Sequence, residues 1–342
     1  MANLKRAYQQ LFARPTDERF STFDELYTHC LKFKDESEVH WKQPKEVFPV
    51  NTQGNLGLKL PADQAYELND WSFGQVCAIA EVKKETVNRL RVETARQVLT
   101  ETLPNGSRPL QVMTRHDTIR SVHGVSYTRL FDAELLDVVI DEASDFNPPP
   151  IGLNGGTGLY AGEQDMFAFL VDDQSWVDIG GEQYAPGFFI WNSEVGRRTV
   201  GIETFWYQRV CANHIVWDAT EVVSYRRKHT ANVVDAVEDI RLLLRRLVQI
   251  RDQRKDSFVK AMASAMETKL GSSKDEVSQI LAGQGIGMSY VKAAVETMGK
   301  QSRQFTLFQA VDALTRLTGR LENAGDRAEQ DVKIGRLLSL AI

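Results

Sequence analysis

The sequence predicts an α+β protein: a mostly antiparallel, β-rich middle region flanked by a helical N-terminal segment and a C-terminal helical bundle. Two textures predict it. Between 108 and about 225, short runs rich in Val, Ile, Phe, Trp and Tyr are separated by Gly, Pro and Asn: RPLQVMTR, SVHGVSYTRLF, MFAFLVD, WVDI, FFIWNS and RTVGIETFWYQRVC. After Thr230, the residues Val233, Val237, Ile240, Leu244 and Leu247 step by 4, 3, 4 and 3, so they share one face of a long helix.

Taken in order, residues 1–69 mix helical pieces (FSTFDELYTHCLKF) with Pro-punctuated extended ones (KQPKEVFPVNTQGNLGLKLP), and read as a segment that docks on the rest. Residues 70–105 turn helical, with Val76, Ile79, Ala80, Val87, Leu90 and Val98 at helical intervals, closed by the turn LPNGSRP. Residues 106–225 form the β-rich core, interrupted by SDFNPPPIGLNGGTGLYAGEQD (144–165), a stretch with neither strand nor helix signal. Residues 226–342 are helical, with further stretches near 274–299 and 305–322 and an apolar tail expected to pack on the body.

Composition bounds the setting. Apolar residues at 42% and charged residues at 25% are globular values, which argues against extended disorder. The N-terminus has no apolar stretch of signal-peptide length, and nowhere do about 18 apolar residues run together, so no membrane span is expected. Cys30, Cys77 and Cys211 are too scattered for a disulfide framework, and the expectation is a soluble protein of a reducing cytoplasm. The net charge of −5 hides a split: sixteen acidic against three basic residues over 130–225, then twenty basic against fourteen acidic from 226 onward. Such a split orients a partner, orients one protomer on another in a homo-oligomer, or solvates two different surfaces.

Several short motifs carry chemistry. VCAIAEVKKETVNRL (76–90) is similar to a helix-turn-helix, with Val82, Thr86, Val87, Arg89 and Leu90 at matching places. Glu81 stands where that turn wants glycine. As a helix-turn-helix it would aim Lys83, Lys84 and Arg89 at phosphate or base edges; otherwise it is a helical hairpin packed on a sheet. GQGIGMS (283–289) lacks the preceding strand of a nucleotide-binding loop and reads as a helix–helix connection. Cys211 and His214 sit three apart, but a zinc site needs three or four ligands, and neighbouring aromatics favour a buried structural thiol over a nucleophile. The acidic residues Asp165, Asp172, Asp173, Asp178, Glu182 and Glu194 would hold Mg²⁺ for a nuclease only if they converged. No catalytic residue, metal ligand or cofactor is assigned.

The basic residues make the stronger case. Arg197, Arg198, Arg209, Arg226, Arg227, Lys228 and His229 bracket the aromatic strands, and Arg241, Arg245 and Arg246 continue onto the helix. With Trp191, Trp206 and Tyr207 they offer phosphate neutralisation plus base stacking, the pairing that single-stranded nucleic acid binding uses.

FFIWNSEVGRRTVGIETFWYQRVCANHIV, followed by YRRKHTANVVDAVEDI, resembles the phage- and plasmid-encoded proteins called domain of unknown function 932. The matching pieces are Asn192-Ser193-Glu194-Val195-Gly196, the Arg209-Val210-Cys211-Ala212-Asn213 strand end, and His229 ahead of a long helix. His214 departs from the glycine common there. The resemblance covers roughly 70–320. It implies a mobile-element setting, beside recombination and anti-restriction genes, and treats Asn192, Ser193, Glu194, Gly196, Cys211 and Asn213 as structural.

The functional expectation is a non-enzymatic DNA-interacting accessory protein, acting in replication, recombination or protection of incoming DNA through one exposed basic and aromatic trough. Two other classes remain open: a counter-defence protein presenting the acidic 130–225 surface to a host DNA-processing enzyme, and a metal-dependent nuclease.

Overall fold

A computed structural model describes residues 16–61, 64–149, 157–208, 214–217, 224–230, 233–301, 305–318 and 333–341. The fold is α+β, built on two largely antiparallel sheets. The chain enters through β1 (Arg19–Phe20) and α1 (Phe23–Asp35). Thr22 caps α1 by accepting the Glu25 N–H, and the Glu25 carboxylate accepts the Thr22 N–H in return.

Next come β2 (Ser37–Lys42), β3 (Phe48–Thr52), β4 (Asn55–Lys59) and β5 (Ala65–Leu68). The helices α2 (Asp70–Ile79), α3 (Lys84–Val87) and α4 (Val92–Thr102) lead to β6 (Leu110–Arg115) and β7 (Thr118–His123). These strands make a six-stranded sheet in the order β2-β6-β7-β5-β4-β3, antiparallel except where β5 pairs with β7. Val76, Ala80 and Leu99 of the helices bury against Leu58, Tyr66, Val112 and Ile119 on one face. The expected docking segment is therefore an integral part of a sheet, contributing four of its six strands. Alternation marks a strand but not its partner, and the stretch 106–225, read as one β-rich core, supplies strands to both sheets.

The larger sheet draws on β8 (Phe146–Asn147), β9 (Leu159–Ala161), β10 (Met166–Asp172), β11 (Val177–Ile179), β12 (Glu182–Asn192), β13 (Val200–Gln208), β14 (His214–Trp217) and β15 (Ser224–Arg227). Its path is β1-β9-β10-β12-β13-β14, with β8, β11 and β15 alongside. One face presents Met166, Leu170, Phe188, Ile190 and Ile202 to α1, to α5 (Asp132–Glu142) and to α6 (Val233–Gln249). Helix α5 lay hidden inside the β-rich stretch: Leu135, Leu136, Val138 and Val139 pack as a helical face that β-like neighbours obscured. The 144–165 loop, too, contains the two short strands β8 and β9. Val233, Ile240, Leu244 and Leu247 of α6 all point inward, as their spacing requires.

The C-terminal lobe comprises α7 (Arg251–Glu267), β16 (Lys269–Gly271), α8 (Lys274–Gly283), α9 (Met288–Gln301), β17 (Phe305–Thr306) and α10 (Leu307–Thr318). It docks where Trp206 of β13 stacks on Phe258 of α7, with ring centroids 3.9 Å apart and planes 7° from parallel. GQGIGMS joins α8 to α9, and Gly285 takes a left-handed φ of +78° there.

Candidate functional site

The densest polar structure in the molecule is built on the turn that follows β12, the Asn192–Gly196 motif. Strand β12 delivers Asn192, Ser193, Glu194 and Val195 into the interior, between the two sheets, and all four are buried. Glu194 Oε2 accepts from Arg120 Nη1 at 2.7 Å, and both side chains are only 2% exposed. Its other oxygen accepts the Asp132 N–H at 3.1 Å. Its backbone carbonyl accepts from Arg129 Nη1 and, at 2.9 Å, from Tyr127 Oη. Arg129 also donates to Gln111 Oε1 at 2.7 Å and to Ser121 Oγ at 3.1 Å, which ties the turn to the smaller sheet.

The flanking residues complete the hub. Asn192 Nδ2 donates to Leu130 O at 2.9 Å and to Asp132 Oδ1 at 2.8 Å. Ser193 Oγ donates to Gln164 O at 2.6 Å and accepts the Arg197 N–H at 2.9 Å. The Val195 carbonyl receives Trp71 Nε1 at 2.8 Å, His123 Nε2 at 3.0 Å and Gln75 Nε2 at 3.3 Å. Gly196 is demanded twice over: its φ is +74°, and a Cβ there would meet His123 Cε1 at 2.7 Å and Tyr127 Cε2 at 2.8 Å. His123 stacks on Tyr127 at 3.6 Å, and Tyr127 stacks on His229 at 5.5 Å.

Burial and charge tune these groups. Burial pulls His123 down to about 3, with the Arg129 charge adding, and pulls His229 down to about 4. Burial first, then the Glu194 charge, raises the Asp132 carboxyl well above the ordinary range. Unfolding would let both imidazoles protonate near their ordinary value of about 6.5. Between about pH 6.5 and 4 the unfolded chain thus binds more protons at these two sites, so their stabilisation is lost as pH falls. Asp132 acts in the opposite sense, because its folded carboxyl holds a proton that the unfolded one releases. Two imidazoles against one carboxyl leave a net loss, expected at up to about 1.4 kcal/mol per pH unit. Urea midpoints at pH 7 and 4.5 read it; a midpoint that holds or rises on acidification refutes this balance.

The arrangement is a connector. Its members are densely hydrogen-bonded to one another and join both sheets, with Arg129 Nε, Asn192 Oδ1 and the His229 ring nitrogens left without a hydrogen-bond partner among the described residues. Arg120, His123, Tyr127, Arg129 and Asp132 were missed by sequence reasoning. The available signal was thin: Arg120 interrupts the strand TIRSVH next to Ile119, and Asp132 is one of five acidic residues in α5.

Among the described residues the expected trough does not form. Trp191, Trp206 and Tyr207 are 6%, 0% and 2% exposed, within the core rather than on a stacking surface. The arginines are held by carboxylates. Arg198 meets Asp165 at 2.7 Å, Arg226 meets Glu203 at 2.9 Å, and Arg227 meets Asp239 at 3.5 Å. Arg241 bridges Asp141 and Glu142 at 2.9 and 2.7 Å, while Arg245 reaches Glu142 at 2.6 Å. Arg197 lies over the Trp71 ring at 5.5 Å, and His229 is buried. Lys228 and Arg246 of this set are exposed without such a partner among the described residues. Arg209, Cys211 and Asn213 lie outside the described residues, so the Cys211–His214 spacing has no structural account beyond the placement of His214 in β14.

These pairs also explain the charge split along the chain. Arg241, Arg245, Arg251 and Arg316 of the basic half reach Asp141, Glu142, Asp145, Asp172 and Glu182 of the acidic half. Opposite halves of the sequence are each other's partners, which occupies much of the acidic face reserved for a host enzyme. Among the described residues, no group of three or more His, Cys, Asp or Glu side chains could hold a metal ion, so the carboxylates expected of a nuclease do not converge. A cleft of about 580 Å³ between Thr22 and Asp24 on one side and Val139, Ile140 and Phe146 on the other is lined by Asp173 of the candidate carboxylates and by none of the basic or aromatic candidates.

The hairpin at 76–90 keeps its shape in part. Glu81 adopts the left-handed φ of +56° that the turn requires of glycine. The second helix, α3, is a single turn of four residues, and Val87 is buried against Cys77 and Ala95. A helix that short cannot lie along a major groove as a recognition helix does. Lys84 is spent internally, on Asp70 at 2.8 Å. Lys83 and Arg89, and Arg91 beyond them, are exposed and have no ion-pair partner among the described residues.

Fold and hub together define an α+β scaffold whose two sheets are joined by a buried polar connector. No family model, curated protein or solved structure matches the chain. No helix among the described residues is long and apolar enough to cross a membrane.

Proposed function

We propose that the chain is a non-enzymatic DNA-interacting accessory protein of a phage, plasmid or integrative element, binding single-stranded or distorted DNA through its backbone. One observation carries the reading. Among the positions singled out for nucleic acid, the α2–α3 hairpin keeps exposed cations with no ion-pair partner among the described residues (Lys83, Arg89 and the adjoining Arg91), whereas Arg197, Arg198, Arg226, Arg227, Arg241 and Arg245 are held by carboxylates or aromatic rings. Phosphate contacts position a protein without reading sequence, and they need only exposed cations. The resemblance to the phage and plasmid proteins supports the setting.

Fluorescence anisotropy with a single-stranded oligonucleotide at low and rising salt tests it. Lys83→Ala/Arg89→Ala/Arg91→Ala is expected to weaken binding about tenfold or more and to reduce the salt slope by about 2. Arg226→Ala/Arg227→Ala/Lys228→Ala is expected to leave affinity within about twofold, since two of its three side chains are already paired. No binding at low salt ends the proposal.

A further inference from the structure

Strand β2 ends the smaller sheet: it pairs with β6 on one side and with no other strand among the described residues. Along it, Val39 is 39% exposed and Trp41 51% exposed, two apolar side chains on one face of an open edge. Their sheet neighbours on that face, Met113 and Gln111, are buried, so the surface runs from the interior out to solvent at β2. Glu38 and Lys42 lie on the opposite face, flanking His40, which is anchored to Thr114 Oγ1 at 2.9 Å.

We propose that β2 is a self-association edge, occupied by β2 of a second copy in antiparallel pairing centred on His40. The charge order selects this occupant. About that centre, Glu38 faces the partner's Lys42, and Lys42 faces the partner's Glu38. Val39 faces the partner's Trp41, and Trp41 the partner's Val39, so directly opposed side chains cover both apolar residues. A register centred between Val39 and His40 sets Glu38 against tryptophan and leaves Lys42 opposite serine. One centred on Trp41 opposes His40 and Lys42. Edge strands are commonly guarded by charges that repel a second strand. Here the signs sit four residues apart and opposite, so antiparallel self-pairing brings attraction. The strand is six residues long, which keeps the interface below the standard size of about 1,600 Å². The association is accordingly weak, with a dissociation constant of roughly 10–500 μM.

Sedimentation velocity of the full chain across that concentration range reads it. The wild type is expected to pass reversibly from monomer to dimer. Two-fold symmetry doubles every change, so Glu38→Lys alone and Lys42→Glu alone should each weaken the dimer about tenfold or more. The double reversal Glu38→Lys/Lys42→Glu should return it to within about threefold of wild type. Trp41→Ala should weaken it at least as much as either single reversal. All three positions are exposed or partly exposed, and unchanged thermal melts would show that folding is intact. A chain that stays monomeric throughout, a dimer indifferent to the single reversals, or a double reversal no tighter than the singles each overturns the proposal.

Discussion

Glu194→Ala is expected to lower the free energy of unfolding by about 3–5 kcal/mol, because it leaves the Arg120 guanidinium charged, buried and short of its closest partner. Water cannot compensate at 2% exposure. The remaining carboxylate within reach, Glu163 at 3.2 Å, is half exposed and screened, so it offsets only part of the loss. The Asp132 N–H loses its acceptor in the same step. A shape-matched apolar replacement of both partners, Arg120→Met/Glu194→Leu, is expected to recover much of the deficit, since the desolvation of two charges disappears with them. Arg226→Ala serves as contrast: its pair with Glu203 is solvent-exposed on the arginine side, and its loss is expected to stay within about 1 kcal/mol. Urea denaturation with a constant slope measures all three. A deficit under about 1 kcal/mol for Glu194→Ala would mean that the hub is not what joins the sheets.

Trp206→Ala carries the second large effect, about 3–5 kcal/mol. The indole is fully buried and stacked on Phe258, so its removal opens a cavity at the contact between the larger sheet and the C-terminal lobe. Trp206→Phe is expected to cost about 1 kcal/mol or less, because the indole N–H has no hydrogen-bond partner among the described residues and its deletion relieves an unsatisfied donor. Hydrogen exchange should show α7 amides losing protection in the alanine variant before those of the smaller sheet. A fully stable Trp206→Ala chain that no longer binds oligonucleotide would instead return this residue to a stacking role.

The site was legible in an uneven way. The Asn192–Gly196 run was singled out through the family resemblance, and its structural character follows from burial and from the close approach at Gly196. Its partners were not readable, because Arg120, Arg129, Asp132 and Trp71 lie between 62 and 124 residues away in sequence. The basic stretch 226–246 was conspicuous for the opposite reason. Its charges stand together in sequence, while the carboxylates that hold Arg241 and Arg245 lie about a hundred positions earlier, on α5.

By itself, the sequence determined the α+β class, the strands β10 to β13, the inward face of α6 and the helix–helix turn at Gly285, since each rests on periodicity or turn chemistry within a few residues. It also determined that Phe205 and Tyr207 share one side of β13 while Trp206 takes the other. Only the tertiary structure decided that residues 37–68 complete a sheet with 110–123, that the aromatics of β12 and β13 are interior, and that the acidic and basic halves neutralise each other. The physical reason is range. Dihedral preference and side-chain alternation act between neighbours along the chain, whereas strand pairing, burial and Coulomb attraction depend on distances that exist only once the chain has folded.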